Sequence, residues 1–188
     1  MAAFQRCLKD VAGTGVDMIL LNDDLRFGAW SGFGCLCENH VRMICEQLGE
    51  NVEETRLREL ILSGGKNRYR DAFLNANKRS LQKYAVKMRR AADEVNPKLR
   101  LGFCACVSSW DIDGDAFEIS KLLAGNTKPI LRLIGAPYWV ACSGKEYLQD
   151  VVELERMEAS WNRDSEIELI AEGDAYSCPR LNCPASYL

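Results

Sequence analysis

LRLGFCACV, residues 99–107, is apolar at nearly every position, and the stretch directly before it is closed by Asn96-Pro97. An element apolar along its whole length, rather than on alternate positions, is buried on both faces. This is the pattern of a strand inside a parallel sheet covered by helices.

The neighbouring segments follow the same rule. Upstream, residues 67–95 place Phe73, Leu81, Tyr84, Ala85, Met88, Ala92 and Val95 on one helical face, and Asn96-Pro97 ends that helix. Further upstream, VDMILL (16–21) follows GTG and is a short apolar strand, while Phe4, Cys7, Leu8 and Val11 make a helical stripe over 4–11. Downstream come the loop SSWDIDGD (108–115), a helix near 115–124 and the strand PILRLIGA (129–136). PYWVAC (137–142) then leads into a helix over about 144–161, opened by the capping-box pair Ser143 and Glu146, and EIELIAEG (166–173) is the last strand. The pattern predicts one α/β domain over 1–188 with about four parallel strands and covering helices. Residues 49–66, around SGGKN, read as an irregular insertion or a hinge between two helices.

Composition narrows the function classes. A chain of 188 residues supports one domain with a substantial core, and 47% hydrophobic with 27% charged residues is an ordinary globular balance. A net charge of −3 gives no electrostatic reason to expect nucleic acid. No run of 18 apolar residues supports a membrane span, and MAAFQRCLKD lacks the apolar core of a secretory signal. The nine cysteines are an odd number, and several sit inside apolar segments, where a thiol packs as a small hydrophobe. Reduced cysteines and a cytoplasmic location are therefore expected.

In parallel α/β folds, function collects at the C-terminal ends of the strands. Those ends carry Asn22, Asp23, Asp24 and Arg26, then Trp110, Asp111 and Asp113, then Tyr138 and Trp139, then Glu172, Asp174 and Tyr176. Polar loops and aspartate caps account for part of this, Asp111, Asp113 and Asp115 above all. Glu172 is harder to explain that way, because it directly follows an apolar strand. Carboxylates beside aromatic rings at one sheet edge also describe a sugar site. The glycine-rich stretches match neither a dinucleotide fingerprint nor a phosphate loop, and no CxxC redox pair is present.

GFGCLCENH (32–40) holds Cys35, Cys37 and the single histidine, His40. One reading is a helix start whose buried stripe is Cys37, His40, Val41, Ile44 and Cys45. The other is a metal site, since two thiols and an imidazole can converge on one tetrahedral ion. A closed site needs a fourth ligand, for which Cys7, Cys45 or water are the candidates.

The chain resembles the (β/α)8-barrel glycoside hydrolases of clan A, most closely the family 42 β-galactosidase-like members. LLNDDLRFG (20–28) is similar to the fourth barrel strand of that clan, ELIAEGD (168–174) to the seventh, and GCLCENH (34–40) to a Cys-x-Cys-x-x-Cys structural zinc cluster. The resemblance implies a partial barrel, strands four to seven, forming part of a retaining glycosidase. Glu172 would be its nucleophile and Asp23 or Asp24 its acid/base. Asn22 would hold the sugar 2-hydroxyl and Arg26 would orient a carboxylate. Trp110, Asp111, Tyr138, Trp139, Asp174 and Tyr176 would line the sugar subsites. Catalysis would need no cofactor, and Cys35, Cys37 and His40 would bind structural zinc. Two departures count against activity: aspartate stands where the family has glutamate, and four of eight strands are present. The alternative is a non-catalytic carbohydrate-binding or interaction module. The partners expected are a carbohydrate and, to complete the sheet, a second copy or the remainder of a longer chain.

Overall fold

The computed structural model describes residues 2–22, 25, 27, 34–106, 116–134 and 166–172. Nine elements occur among them: α1 (Ala2–Ala12), β1 (Met18–Leu21), α2 (Glu38–Leu48), α3 (Glu54–Leu62), α4 (Arg68–Asp93), β2 (Arg100–Cys106), α5 (Ala116–Ala124), β3 (Ile130–Ile134) and β4 (Glu168–Glu172). The strands form one sheet in the order β1-β2-β3-β4, and every pairing is parallel. The α/β class and the parallel sheet read from LRLGFCACV are what the structure has. The expected loops at 108–115 and 137–142 and the helix over 144–161 lie outside the described residues.

Strand alternation sorts the sheet into two faces. Leu21, Leu101, Phe103, Ala105 and Leu131 point to one side, where they pack with Leu8 and Ala12 of α1, Ala85 and Met88 of α4, and Ile119 and Leu123 of α5. The other side carries Arg100, Gly102 and Cys104 of β2, Ile130 and Arg132 of β3, and Glu168 and Ile170 of β4. Arg100 Nη2 donates to Glu168 Oε2 at 2.9 Å, so β3 is bridged on this face by a charged pair. Gly102 is there because nothing larger fits. A Cβ at that position would come within 2.4 Å of the Ile130 carbonyl oxygen.

The helix α4 serves two cores. Its C-terminal half lies on the sheet, and Arg89, 5% exposed, donates from Nη1 to Leu99 O at 2.7 Å and so ties the helix to the start of β2. Its N-terminal half builds a second cluster, in which Ala72, Phe73 and Ala76 meet Leu36, Ile44 of α2, and Leu57 and Ile61 of α3. Burying the Phe73 ring completely contributes roughly 1.5–3 kcal/mol.

Residues 49–66 are more regular than the irregular insertion or hinge expected from SGGKN. They contain α3, because Leu57 and Ile61 fall at i, i+4 and bury together against α4. Gly49, at φ 71°, ends α2 in the left-handed conformation. Asn67 accepts from Arg70 N at 2.9 Å to cap α4, and its Nδ2 donates to Ser63 O at 3.0 Å. One side chain thus closes the turn and starts the next helix. Among the described residues no helix is long and apolar enough to cross a membrane.

Candidate metal centre

Cys35, Cys37 and His40 come together. Their ligand atoms, two Sγ and one ring nitrogen, all lie within 4.8 Å of one another. GFGCLCENH opens a helix and its polar atoms converge, but the expected buried stripe is shorter than Cys37, His40, Val41, Ile44 and Cys45: His40 and Ile44 are buried, Val41 and Cys45 half-buried, and Cys37, standing at the helix start, is exposed. Cys37 is the N-cap of α2, while His40 and Ile44 face inward from it.

The turn before α2 is fixed by its neighbours on α4. A Cβ at Gly34 would meet Phe73 Cζ at 2.8 Å, so only glycine lets the chain pass so close. Cys35 N donates to Asn77 Oδ1 at 3.3 Å, and the fully buried Asn77 returns Nδ2 to Phe73 O at 2.9 Å. Leu36 is 6% exposed in the second core. With Leu36 pointing inward, Cys35 and Cys37 flank it.

The histidine is oriented from both sides. His40 Nε2 and Ser80 Oγ share a hydrogen bond at 2.8 Å, and Ser80 Oγ also lies 3.9 Å from Met43 Sδ. The other ring nitrogen, Nδ1, faces Cys37 Sγ, 3.4 Å away. Phe27 sets its ring edge-on against the imidazole, with centroids 5.0 Å apart. Burial pushes the His40 pKa down, which keeps the ring neutral and able to act as a ligand. The thiols differ in turn. The His40 backbone N–H, at the positive end of α2, lowers the Cys37 pKa, whereas burial raises that of Cys35.

These atoms fit a metal. In tetrahedral thiolate–imidazole coordination, two sulfurs stand about 3.8 Å apart and sulfur and nitrogen about 3.6 Å. The Cys37–His40 pair is already at that spacing, and closing the rest takes side-chain adjustments of at most about 1.2 Å from the 4.8 Å limit. Neither Cys7 nor Cys45 joins as a fourth ligand. Cys7 is exposed on α1, and Cys45 Sγ is engaged with the backbone of Val52, accepting from its N–H at 3.3 Å.

The sugar-site residues are less gathered. Asn22, just past β1, accepts from Arg132 Nη2 at 3.1 Å across the sheet. Glu172 closes β4 in register with Ile134. Asp23, Asp24, Arg26, Trp110, Asp111, Tyr138, Trp139, Asp174 and Tyr176 lie outside the described residues. Ser80 and Asn77 escaped the sequence reading, although both are polar interruptions of the apolar stripe of α4. Arg132, inside an apolar strand, was a similar signal.

Fold and site together define a parallel α/β domain carrying a Cys2His cluster at the start of its second helix. No family model, curated protein or solved structure matches the chain.

Proposed function

We propose that the chain is a glycosidase-type (β/α)8-barrel module, in the likeness of the clan A, family 42 enzymes, with a structural zinc at Cys35, Cys37 and His40. The observation that supports it is the strand order. Parallel strands joined in sequence by right-handed crossovers keep their helices on one side, as a barrel does. Doubly wound sheets reverse the order and place helices on both faces. Here α4 and α5 pack on the same face, and Asn22 and Glu172 stand at the C-terminal ends of the first and last strands.

In this reading Glu172 attacks the anomeric carbon. Asp23 or Asp24 protonates the leaving oxygen and then activates water. A retaining enzyme holds its two carboxyl groups about 5–5.5 Å apart. Three strand spacings along a sheet come to about 14 Å, so the sheet must curve for these groups to meet. Completing a curved sheet to eight strands takes four beyond those described, from a second copy or from further chain. Zinc would fasten the turn after β1 to α2 and takes no part in the sugar chemistry.

The test is release of nitrophenol from a panel of nitrophenyl glycosides. Turnover that disappears in Glu172→Gln supports the glycosidase. A second reading, a carbohydrate-binding module without turnover, is favoured by aspartate at the acid position, one methylene short of glutamate. Saturable sugar binding without release would establish it, and neither binding nor release would remove both. Light scattering at micromolar concentration shows whether a second copy completes the sheet.

A further inference from the structure

The two sulfurs of the cluster have a second chemistry open to them, which goes beyond the function proposed above and does not depend on it. We propose that Cys35 and Cys37 are a reversible dithiol–disulfide pair, oxidised by a low-molecular-weight disulfide such as glutathione disulfide, and that closing the bond undocks the 34–37 turn from α4.

Proximity comes first. The two Sγ atoms are within 4.8 Å, and only Leu36 separates the residues. Residues two apart span at most about 7 Å, at the upper edge of the Cα separation a disulfide bridges. The pair also has an outside and an inside member. Cys37 is exposed and meets an oxidant, whereas Cys35 is half-buried and waits beside it. Elsewhere, Cys45 is engaged with Val52, Cys104 is buried in the sheet, Cys106 ends β2 and Cys7 is on α1.

The reaction balances with the named oxidant. Cys37 sulfur attacks one sulfur of glutathione disulfide, breaking its S–S bond and releasing one glutathione. Cys35 sulfur then attacks Cys37 sulfur and releases the second. Two electrons and two protons leave the protein thiols and end on two glutathione thiols.

Closing the ring has a structural consequence. The chain through Leu36 is held in its present shape by the burial of Leu36, the Cys35 N–Asn77 bond and the contact of Gly34 with Phe73. A disulfide across one intervening residue is strained, and strain makes the bond more reducible. Folding therefore opposes closure, and closure opposes docking. The oxidised pair has no thiolate to offer a metal, so disulfide and metal exclude one another.

The experiment uses the full chain, stripped of metal and equilibrated in glutathione buffers of rising disulfide content. It is then quenched in acid, alkylated and digested with trypsin. Peptide 27–42 carries these two of the nine cysteines and no other. The expected result is loss of both alkyl labels with loss of two hydrogens, reversed by reduced glutathione. Hydrogen exchange at the Cys35 amide should accelerate several-fold in the oxidised form. Cys35→Ser should retain glutathione on Cys37, having no second sulfur to release it, whereas Cys37→Ser should react several-fold more slowly. A doubly labelled peptide at every ratio, or bridging of either residue to another cysteine, overturns the pairing. Unchanged exchange at Cys35 overturns the undocking. Peptide mapping and exchange are read on the wild-type chain, so they decide the matter even where a variant fails to fold.

Discussion

His40 Nε2 and Ser80 Oγ are 2.8 Å apart, joining the start of α2 to the middle of α4 through the only histidine in the chain. The contact fixes which ring nitrogen faces Cys37. It also rests on a residue far from the cysteines in sequence, so the ligand set is built by packing rather than by a local loop.

Metal affinity should therefore depend on Ser80. Second-shell partners of a metal-bound histidine typically contribute about 10–100-fold in affinity. Ser80→Ala should weaken zinc binding by about 10-fold, read by competition with a chromogenic chelator. Its helix should stay intact, since alanine is the better helix former. An unchanged affinity would mean that packing alone, with Phe27, orients the ring.

Acid should destabilise the metal-free protein through His40. Burial lowers the folded pKa, while the unfolded histidine takes its proton near the ordinary value of about 6.5. Between those two values the unfolded chain binds the extra proton, so stability falls as pH drops through this window and levels off below it. With one histidine in the chain, few other groups titrate between about pH 7.5 and 5.5. Urea midpoints across that range should decline for wild type and flatten for His40→Gln. Parallel slopes would show that the ring is as easily protonated folded as unfolded.

What the sequence disclosed and what it hid follow from the range of the interactions. LRLGFCACV and PILRLIGA carry their strand signal in consecutive residues, and residues 67–95 repeat an apolar face over many turns. Both are local patterns, and both became the expected elements. The helix α3 was obscured because two glycines and a lysine just beyond it dominated the reading, although Leu57 and Ile61 already marked a buried stripe. Cys35, Cys37 and His40 are close in sequence, so their convergence could be anticipated. Their supports could not. Asn77 and Ser80 reach the cluster across about 40 residues of sequence, and the polar breaks they make in the apolar stripe of α4 do not say which segment they serve. The pairing of Asn22 with Arg132, 110 residues apart, is hidden for the same reason.

The close contact between β2 and β3 at Gly102 gives the sharpest test of the sheet. Glycine inside a strand normally weakens it, having no side chain to pack and more backbone freedom to lose. Here its absence of a Cβ is what permits the pairing. Added to the backbone, that atom would lie 2.4 Å from Ile130 Cγ2 and 2.4 Å from Ile130 O. The side-chain contact can relax by rotation, but the carbonyl belongs to β3 itself, and moving it opens the ladder that runs from Phe103–Leu131 to Cys106–Ile134. Gly102→Ala should therefore cost at least about 3 kcal/mol, the upper range for overpacking, or leave the protein insoluble. Gly65→Ala is the control, since a Cβ there meets nothing within 4 Å. It should change stability by no more than about 0.5 kcal/mol. Urea unfolding of the two variants side by side decides the matter. A Gly102→Ala protein as stable as the Gly65→Ala protein would mean that β2 and β3 do not meet in this register.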